Sequence, residues 1–187
     1  MGMYKYVKAT LQTEYSERPD NYKQRVVAWG AEPTVVRITK PTNVARAREI
    51  GYKAKEGILV ARVKIGKGKR KRPHPDGGRK PSRSGRFFSL KKSAQAIAEE
   101  KAARKFSNFE VLNSYFVGST GQKKFYEVIM ANPSIKAISS DRRYAAVFQR
   151  GRAYRGLTAE GKKHRGLSGK GLGAEKARPS VRQNERH

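Results

Sequence analysis

Apolar and polar positions follow several different rhythms along this chain, and each rhythm predicts an element. Tyr4, Val7, Leu11 and Tyr15 recur at helical spacing, which predicts a helix over residues 3–16. A second, shorter helix is expected from Tyr22 to Trp29, ahead of Gly30. Val35–Ile38 is rich in β-branched residues and predicts a strand. Pro41-Thr42-Asn43 offers a turn and an N-cap for a helix that runs through Ile50 and closes at Gly51. From Ile58 to Ile65 the period changes to two: Leu59, Ala61, Val63 and Ile65 face one way, Arg62 and Lys64 the other. Ser93 opens an Ala-rich helix to about Lys105, whose Ala94, Ile97, Ala98 and Ala102 form an apolar face small enough to lie close on a sheet. Val111–Val117 and Phe125–Ala131 flank Gly118-Ser119-Thr120-Gly121 as the arms of a hairpin, which Asn132-Pro133 ends. Tyr115, Phe116, Phe125 and Tyr126 sit among Val and Ile in these arms and are expected to pack in the core rather than to present stacking surfaces.

The fold class expected from this order is α/β (α+β): one small, mixed or antiparallel sheet of four strands with helices on its faces. The expected organisation is an N-terminal helical segment (1–32), a core (33–141) interrupted by a basic loop (66–92), and a basic, Gly-rich extension (142–187). Few apolar positions fall in the extension, so core and extension are expected to be separable.

Charge sharpens that division. The 187 residues include 43 Lys and Arg against 15 Asp and Glu, a net charge of +28. Residues 66–92 hold 11 basic residues and 1 acidic one, residues 142–187 hold 13 and 3, and residues 93–141 are almost neutral with 6 and 5. Such an imbalance pays off only against a polyanion whose counterions are released on binding. No apolar run approaches the roughly 18 residues of a membrane span, and the N-terminus lacks an apolar signal core, so nucleic acid is the expected partner. Between Gly66 and Arg86 there are 9 basic residues, 5 Gly, 3 Pro and no aliphatic residue. Nothing there offsets the roughly 1–2 kcal/mol needed to fix each residue, so this loop is expected to order on its partner.

The extension repeats a phrase. Tyr154-Arg155-Gly156-Leu157 returns as His164-Arg165-Gly166-Leu167 and, more loosely, as Gly169-Lys170-Gly171-Leu172. Arg offers a planar fork for phosphate, Gly permits close approach or positive φ, and Tyr154 can stack on a base. The RNA contacts expected are Lys53 and Lys55; Lys67, Lys69, Arg70, Lys71, Arg72, Arg79, Lys80, Arg83, Arg86, Lys91 and Lys92 in the loop; and Arg150, Arg152, Tyr154, Arg155, Lys162, Lys163, Arg165 and Lys170 in the extension.

Enzyme chemistry has little to work with. There is no Cys, and His74, His164 and His187 share no ligand spacing. Gly66-Lys67-Gly68 lacks the third Gly of a dinucleotide fingerprint, no Gly-x-Ser-x-Gly elbow occurs, and the adjacent Glu99 and Glu100 do not share a helix face. Those two carboxylates are expected to balance Lys101 and Arg104. No catalytic residue, metal or cofactor is expected. A nucleic-acid enzyme would need an acid/base constellation, and a DNA-compacting protein would need a duplicated or dimeric groove-binding element; neither is visible.

A family resemblance then narrows the reading. The stretch from Lys40 to Gly57, KPTNVARAREIGYKAKEG, resembles the signature of the archaeal and eukaryotic large-subunit ribosomal protein fifteen of the "e" type. The resemblance continues through Val60–Val63, Ala98–Arg104, Val111–Gly118 and Phe125–Ile129 to the Arg-Gly-Leu phrases. Phe116 stands where the family often has Trp, and Ser119-Thr120 where it often has acidic residues. The end after Gly173 is similar to the archaeal form. The resemblance implies a three-layer core with a mainly antiparallel sheet, binding to large-subunit ribosomal RNA beside neighbouring ribosomal proteins, a cytoplasmic ribosomal location, and neither catalysis nor cofactor. The alternative is an RNA-binding processing or assembly factor without catalysis.

Overall fold

The structure is a computed structural model, and it describes residues 2–68, 70–88 and 92–168, with Arg70 given by its backbone. Two helices, α1 (Tyr4–Glu17) and α2 (Asp20–Ala31), precede strand β1 (Val35–Ile38), helix α3 (Val44–Glu49) and strand β2 (Ile58–Gly66). A short pair of strands, β3 (Arg70–Lys71) and β4 (Phe87–Phe88), precedes α4 (Ala94–Lys105), β5 (Glu110–Ser119) and β6 (Lys123–Ala131). The chain ends in α5 (Lys136–Ser139), a 3₁₀ segment (Arg142–Phe148) and α6 (Ala159–His164).

The sheet order is β1-β2-β6-β5, and every adjacent pair is antiparallel. Ile58 lies opposite Ala131 and Gly66 opposite Lys123, while Val35 lies opposite Val63. Strands β2 and β5 therefore point the same way with β6 between them, so α4 makes the crossover that joins them. The pairing of β5 with β6 shifts register between Phe116 and Gly118. Gly118 is needed there because a Cβ would stand 2.7 Å from the Tyr22 hydroxyl of α2.

Period two sorts the strand residues onto two faces. On one face Leu59, Ala61, Val63 and Ile65 of β2 join Val111, Tyr126, Val128 and Met130 against α4, whose Ala98 and Ala102 are fully buried. These small side chains let the helix approach the sheet closely, and Ser93 caps it by accepting from the Ala96 amide at 3.1 Å. The other face carries Leu112, Tyr115, Ile129 and Ala131 under Ala47 of α3, Ile138 of α5, and Tyr144 and Val147 of the 3₁₀ segment. Helix α2 lays Tyr22, Val26 and Trp29 over Phe125 at the far end of that face. Arg62 and Lys64 do face away from the β2 apolar row: Arg62 forks onto Glu32 at 2.7 Å and stacks on Trp29, and Lys64 donates to the Gly30 and Glu32 carbonyls. The lone helix without a buried residue among the longer ones is α1, which rides on α3 through Lys8–Glu49 and the Tyr4 hydroxyl contact with Arg48.

Four expectations change. The basic loop is not wholly structureless, since β3 pairs with β4, Arg70 opposite Phe88 and Lys71 opposite Phe87. The two aromatic residues that anchor this ribbon stand just past Arg86, beyond the run that composition marks as coreless. The packed part of the chain also extends past residue 141. Tyr144 and Val147 are almost fully buried, as are Ala153 and Thr158, because the 3₁₀ segment and α6 lie against β5 and α4. Charge density marks where a partner is expected, not where burial stops. Third, Glu99 does not balance Lys101 or Arg104: it is buried, while Glu100 pairs with Lys92. Fourth, Phe116 is 37% exposed while Tyr115, Phe125 and Tyr126 are buried, because it stands beside the β5 irregularity and packs edge-on to Tyr15 and Tyr126.

Candidate nucleic-acid interface

The β3–β4 ribbon is a scaffold for cations. Arg72 stacks on Phe88 with its guanidinium 4.2 Å from the ring centroid, and Lys71 and Arg86 lie over Phe87. Arg79, Lys80 and Arg83 project from the turn and the 3₁₀ turn Pro81–Arg83 that join the strands, all exposed. Lys67 reaches the Thr120 carbonyl in the β5–β6 loop, which ties the ribbon base to the sheet. Among the described residues, none of the ion pairs involves a side chain of 66–88, so these cations are not neutralised by the protein's own carboxylates. Lys69, Lys91 and Lys170 lie outside the described residues, as does the phrase at 169–172.

The Arg-Gly-Leu phrases turn out to share a backbone motif. At Gly156, φ is +63°, its amide donates to Ala153 O, and the Leu157 amide donates to Arg152 O at 2.9 Å. At Gly166, φ is +76°, and the Gly166 and Leu167 amides donate to Lys163 O and Lys162 O, each at 3.0 Å. Both are Schellman-type helical ends, with Gly in the left-handed position and Leu after it. Gly51 ends α3 in the same way, with the Tyr52 amide on Ala47 O at 2.9 Å. The repetition therefore has a folding cause: each phrase reverses a short helical turn. The two phrases also touch, since Arg165 donates to the Arg155 and Gly156 carbonyls, and a Cβ on Gly161 would lie 2.6 Å from Gly156 Cα.

The candidate residues of this segment divide accordingly. Arg152 is 8% exposed and spends its guanidinium on the Val111, Ala146 and Leu157 carbonyls. Its burial pushes its pKa down, and Glu110 and Glu99 hold it up. Arg152 is thus a strut beneath the segment, with its guanidinium engaged by the protein's own backbone rather than presented outward. Arg155 donates to Arg150 O, and Arg165 is engaged as a cap, so neither presents its whole fork outward. Arg150, Lys162 and Lys163 are exposed and make no ion pair among the described residues, and Tyr154 is 49% exposed. In the α3–β2 connection Lys53 is exposed, whereas Lys55 is held by the Ala137 carbonyl and Asp141 and lies over the Tyr144 ring. Arg143 and Lys55 together hold the Asp141 carboxyl well below the usual range. Those contacts bring Arg48, Lys53 and Arg143 to one cleft with Tyr144. Arg48 and Arg143 were not among the sequence candidates, since nothing in the sequence near either one marks the cleft they share.

Two buried carboxylates complete the electrostatics, one on each face of the sheet. Glu99 of α4 accepts from the Ser114 hydroxyl and, at 2.6 Å, from the Thr158 hydroxyl. Glu127 of β6 accepts from the Thr42 amide at 3.0 Å and from the Thr42 and Tyr115 hydroxyls. Burial pushes both carboxyls above their ordinary values, and the hydroxyl donors pull them back. The sheet separates them and protein donors engage both, so they hold α6 and the α3 N-terminus in place and do not form an acid/base pair. Among the described residues no group of three or more His, Cys, Asp or Glu could hold a metal, and no helix is long and apolar enough to cross a membrane.

A family model described as Ribosomal L15 matches residues 2–184. The chain belongs to the L15e ribosomal protein family. Membership gives it an RNA-binding, structural and non-enzymatic role. The L15e match covers the sheet and both basic segments alike, so the cation-rich ribbon and the capped C-terminal turns are parts of the family's domain.

Proposed function

We propose that this chain is a structural constituent of the large ribosomal subunit that binds and stabilises large-subunit ribosomal RNA, with neighbouring ribosomal proteins beside it. The carrying observation is the arrangement of its cations. The sheet and its helices pair several of theirs internally, as in Arg62–Glu32 and Arg25–Glu14. The ribbon and the outer side of the C-terminal segment leave Lys71, Arg72, Arg79, Lys80, Arg83, Arg86, Arg150, Lys162 and Lys163 exposed and, among the described residues, in no ion pair. Spread over two projections of one rigid core, such groups suit the backbone phosphates of two RNA segments and hold them in fixed relation. The test is sedimentation of tagged chain in cell extract. Recovery with large subunits, retained after a moderate salt wash, is expected; recovery with small subunits, or with neither, would refute the reading.

A further inference from the structure

A cleft opens where β5 begins and β6 ends, floored by Val147 and Pro133 and lined by Ser107, Asn108, Asn132, Ser134, Phe148 and Arg150. It differs from the basic surfaces in setting four neutral hydrogen-bonding side chains, Ser107, Asn108, Asn132 and Ser134, beside a single arginine. The one acid on its wall, Glu110, is already engaged by the Gly151 and Arg152 amides. Asn132 uses its carbonyl oxygen on the Ser134 amide, and its side-chain NH2 has no partner among the described residues. The Asn108 side-chain amide and the Ser107 and Ser134 hydroxyls also have no partner among the described residues. Phe148 is 54% exposed, although Tyr144 and Val147 of the same 3₁₀ segment are buried. Three residues per turn put 144 and 147 on the inner side and leave 148 outside. An aromatic ring held at the mouth of a cleft of amides and hydroxyls, beside an arginine, is what an unpaired base requires: a face to stack on and donors and acceptors for its edge. A helical stretch of RNA offers neither a free base face nor a free base-pairing edge.

We infer that this cleft receives a single unstacked RNA base, laid on Phe148 and read at its edge by Asn108 and Asn132, with Arg150 on the adjoining phosphate. This rests on the RNA-binding reading above and adds a specific contact to a surface that charge alone makes non-specific. Base-on-ring stacking of this kind corresponds to about a tenfold preference.

The experiment uses large subunits assembled with full-length chain carrying benzoylphenylalanine at position 148. Irradiation is expected to join that residue to one nucleotide outside any RNA helix. In subunits carrying Phe148→Ala, the base-pairing edge of that nucleotide should become about tenfold more reactive to base-modifying reagents, with its neighbours unchanged. Phe148→Tyr should leave it protected. Cross-linking to a neighbouring protein, to a helical nucleotide or to nothing would overturn the inference, as would unchanged reactivity in Phe148→Ala. In those cases the chain would still be found in large subunits, and the proposed function would stand. Absence of wild-type chain from large subunits would overturn both.

Discussion

Replacing Thr158 with Val tests whether the C-terminal segment is part of the fold. Thr158 is fully buried, and its hydroxyl does two things: it accepts from the Gly161 amide at 3.0 Å as the cap of α6, and it donates to the Glu99 carboxylate at 2.6 Å. Valine keeps the shape and removes both. Loss of a cap costs about 1 kcal/mol. Removing a hydrogen bond to a buried charged group costs about 1.5–3 kcal/mol. The expected destabilisation at pH 7 is therefore about 2.5–4 kcal/mol, a large share of the roughly 5–15 kcal/mol that holds an ordinary domain. In a Glu99→Gln background the charge is gone and the cost should fall towards that of the cap alone. Acidity gives a second handle. Burial raises the Glu99 carboxyl above its ordinary 4.5, and the Thr158 hydroxyl counteracts this. Valine removes that counterweight, so the folded carboxyl holds its proton to still higher pH. The carboxylate part of the cost is then absent below about pH 4.5, where folded and unfolded states are both protonated, and grows as pH rises through the folded value. Urea unfolding followed through the single tryptophan, Trp29, buried against Phe125, reads all of this. A cost below about 1 kcal/mol at pH 7, an equal cost in the Gln background, or a cost that falls with rising pH would refute the reasoning.

Gly161→Ala should destabilise by about 2 kcal/mol or more in the same unfolding assay, because its Cβ would meet the Gly156 backbone at 2.6–2.9 Å. Gly30→Ala, with open space at its Cβ inside helix α2, should stabilise by about 0.5–1 kcal/mol. A chain ended after Asp141 loses Tyr144, Val147 and Thr158 from the buried set and should lose its cooperative unfolding transition. A transition as sharp as that of the full chain would restore the separable extension expected from composition. Binding to ribosomal RNA should weaken steeply with salt, with a slope of about −0.7 to −0.9 in log K against log salt per phosphate neutralised. Charge removal at Arg79, Lys80 and Arg83 should flatten that slope in filter-binding titrations, and an unchanged slope would remove the ribbon from the interface.

Local structure was largely legible in the sequence, because local rules write it there. The alternation of Leu59, Ala61, Val63 and Ile65 against Arg62 and Lys64 marks a two-faced strand whatever it packs on. Ser93 and Asn43 announce helix starts through hydroxyl and amide groups that accept from the first-turn amides at 3.1 and 2.8 Å. Gly51 announces a helix end because only a residue tolerant of positive φ fits there. The segregation of charge into 66–92 and 142–187 likewise pointed to a polyanion without help from any fold. Long-range pairing was hidden. The Glu99–Thr158 contact spans 59 residues and Thr42–Glu127 spans 85, and nothing near either member marks its partner. The same limit explains the Arg-Gly-Leu phrases: close approach and positive φ were both open for their glycines, and Gly156 and Gly166 take positive φ, while Arg155 and Arg165 donate to carbonyls within the protein. Sequence shows which groups carry charge, but only the tertiary structure shows which of them the protein consumes itself. Arg152 vanishes beneath the C-terminal segment, and Arg79 stays in water, although both are one arginine in a basic, glycine-containing run. Burial is a property of the surface that folds over a residue, and that surface comes from elsewhere in the chain.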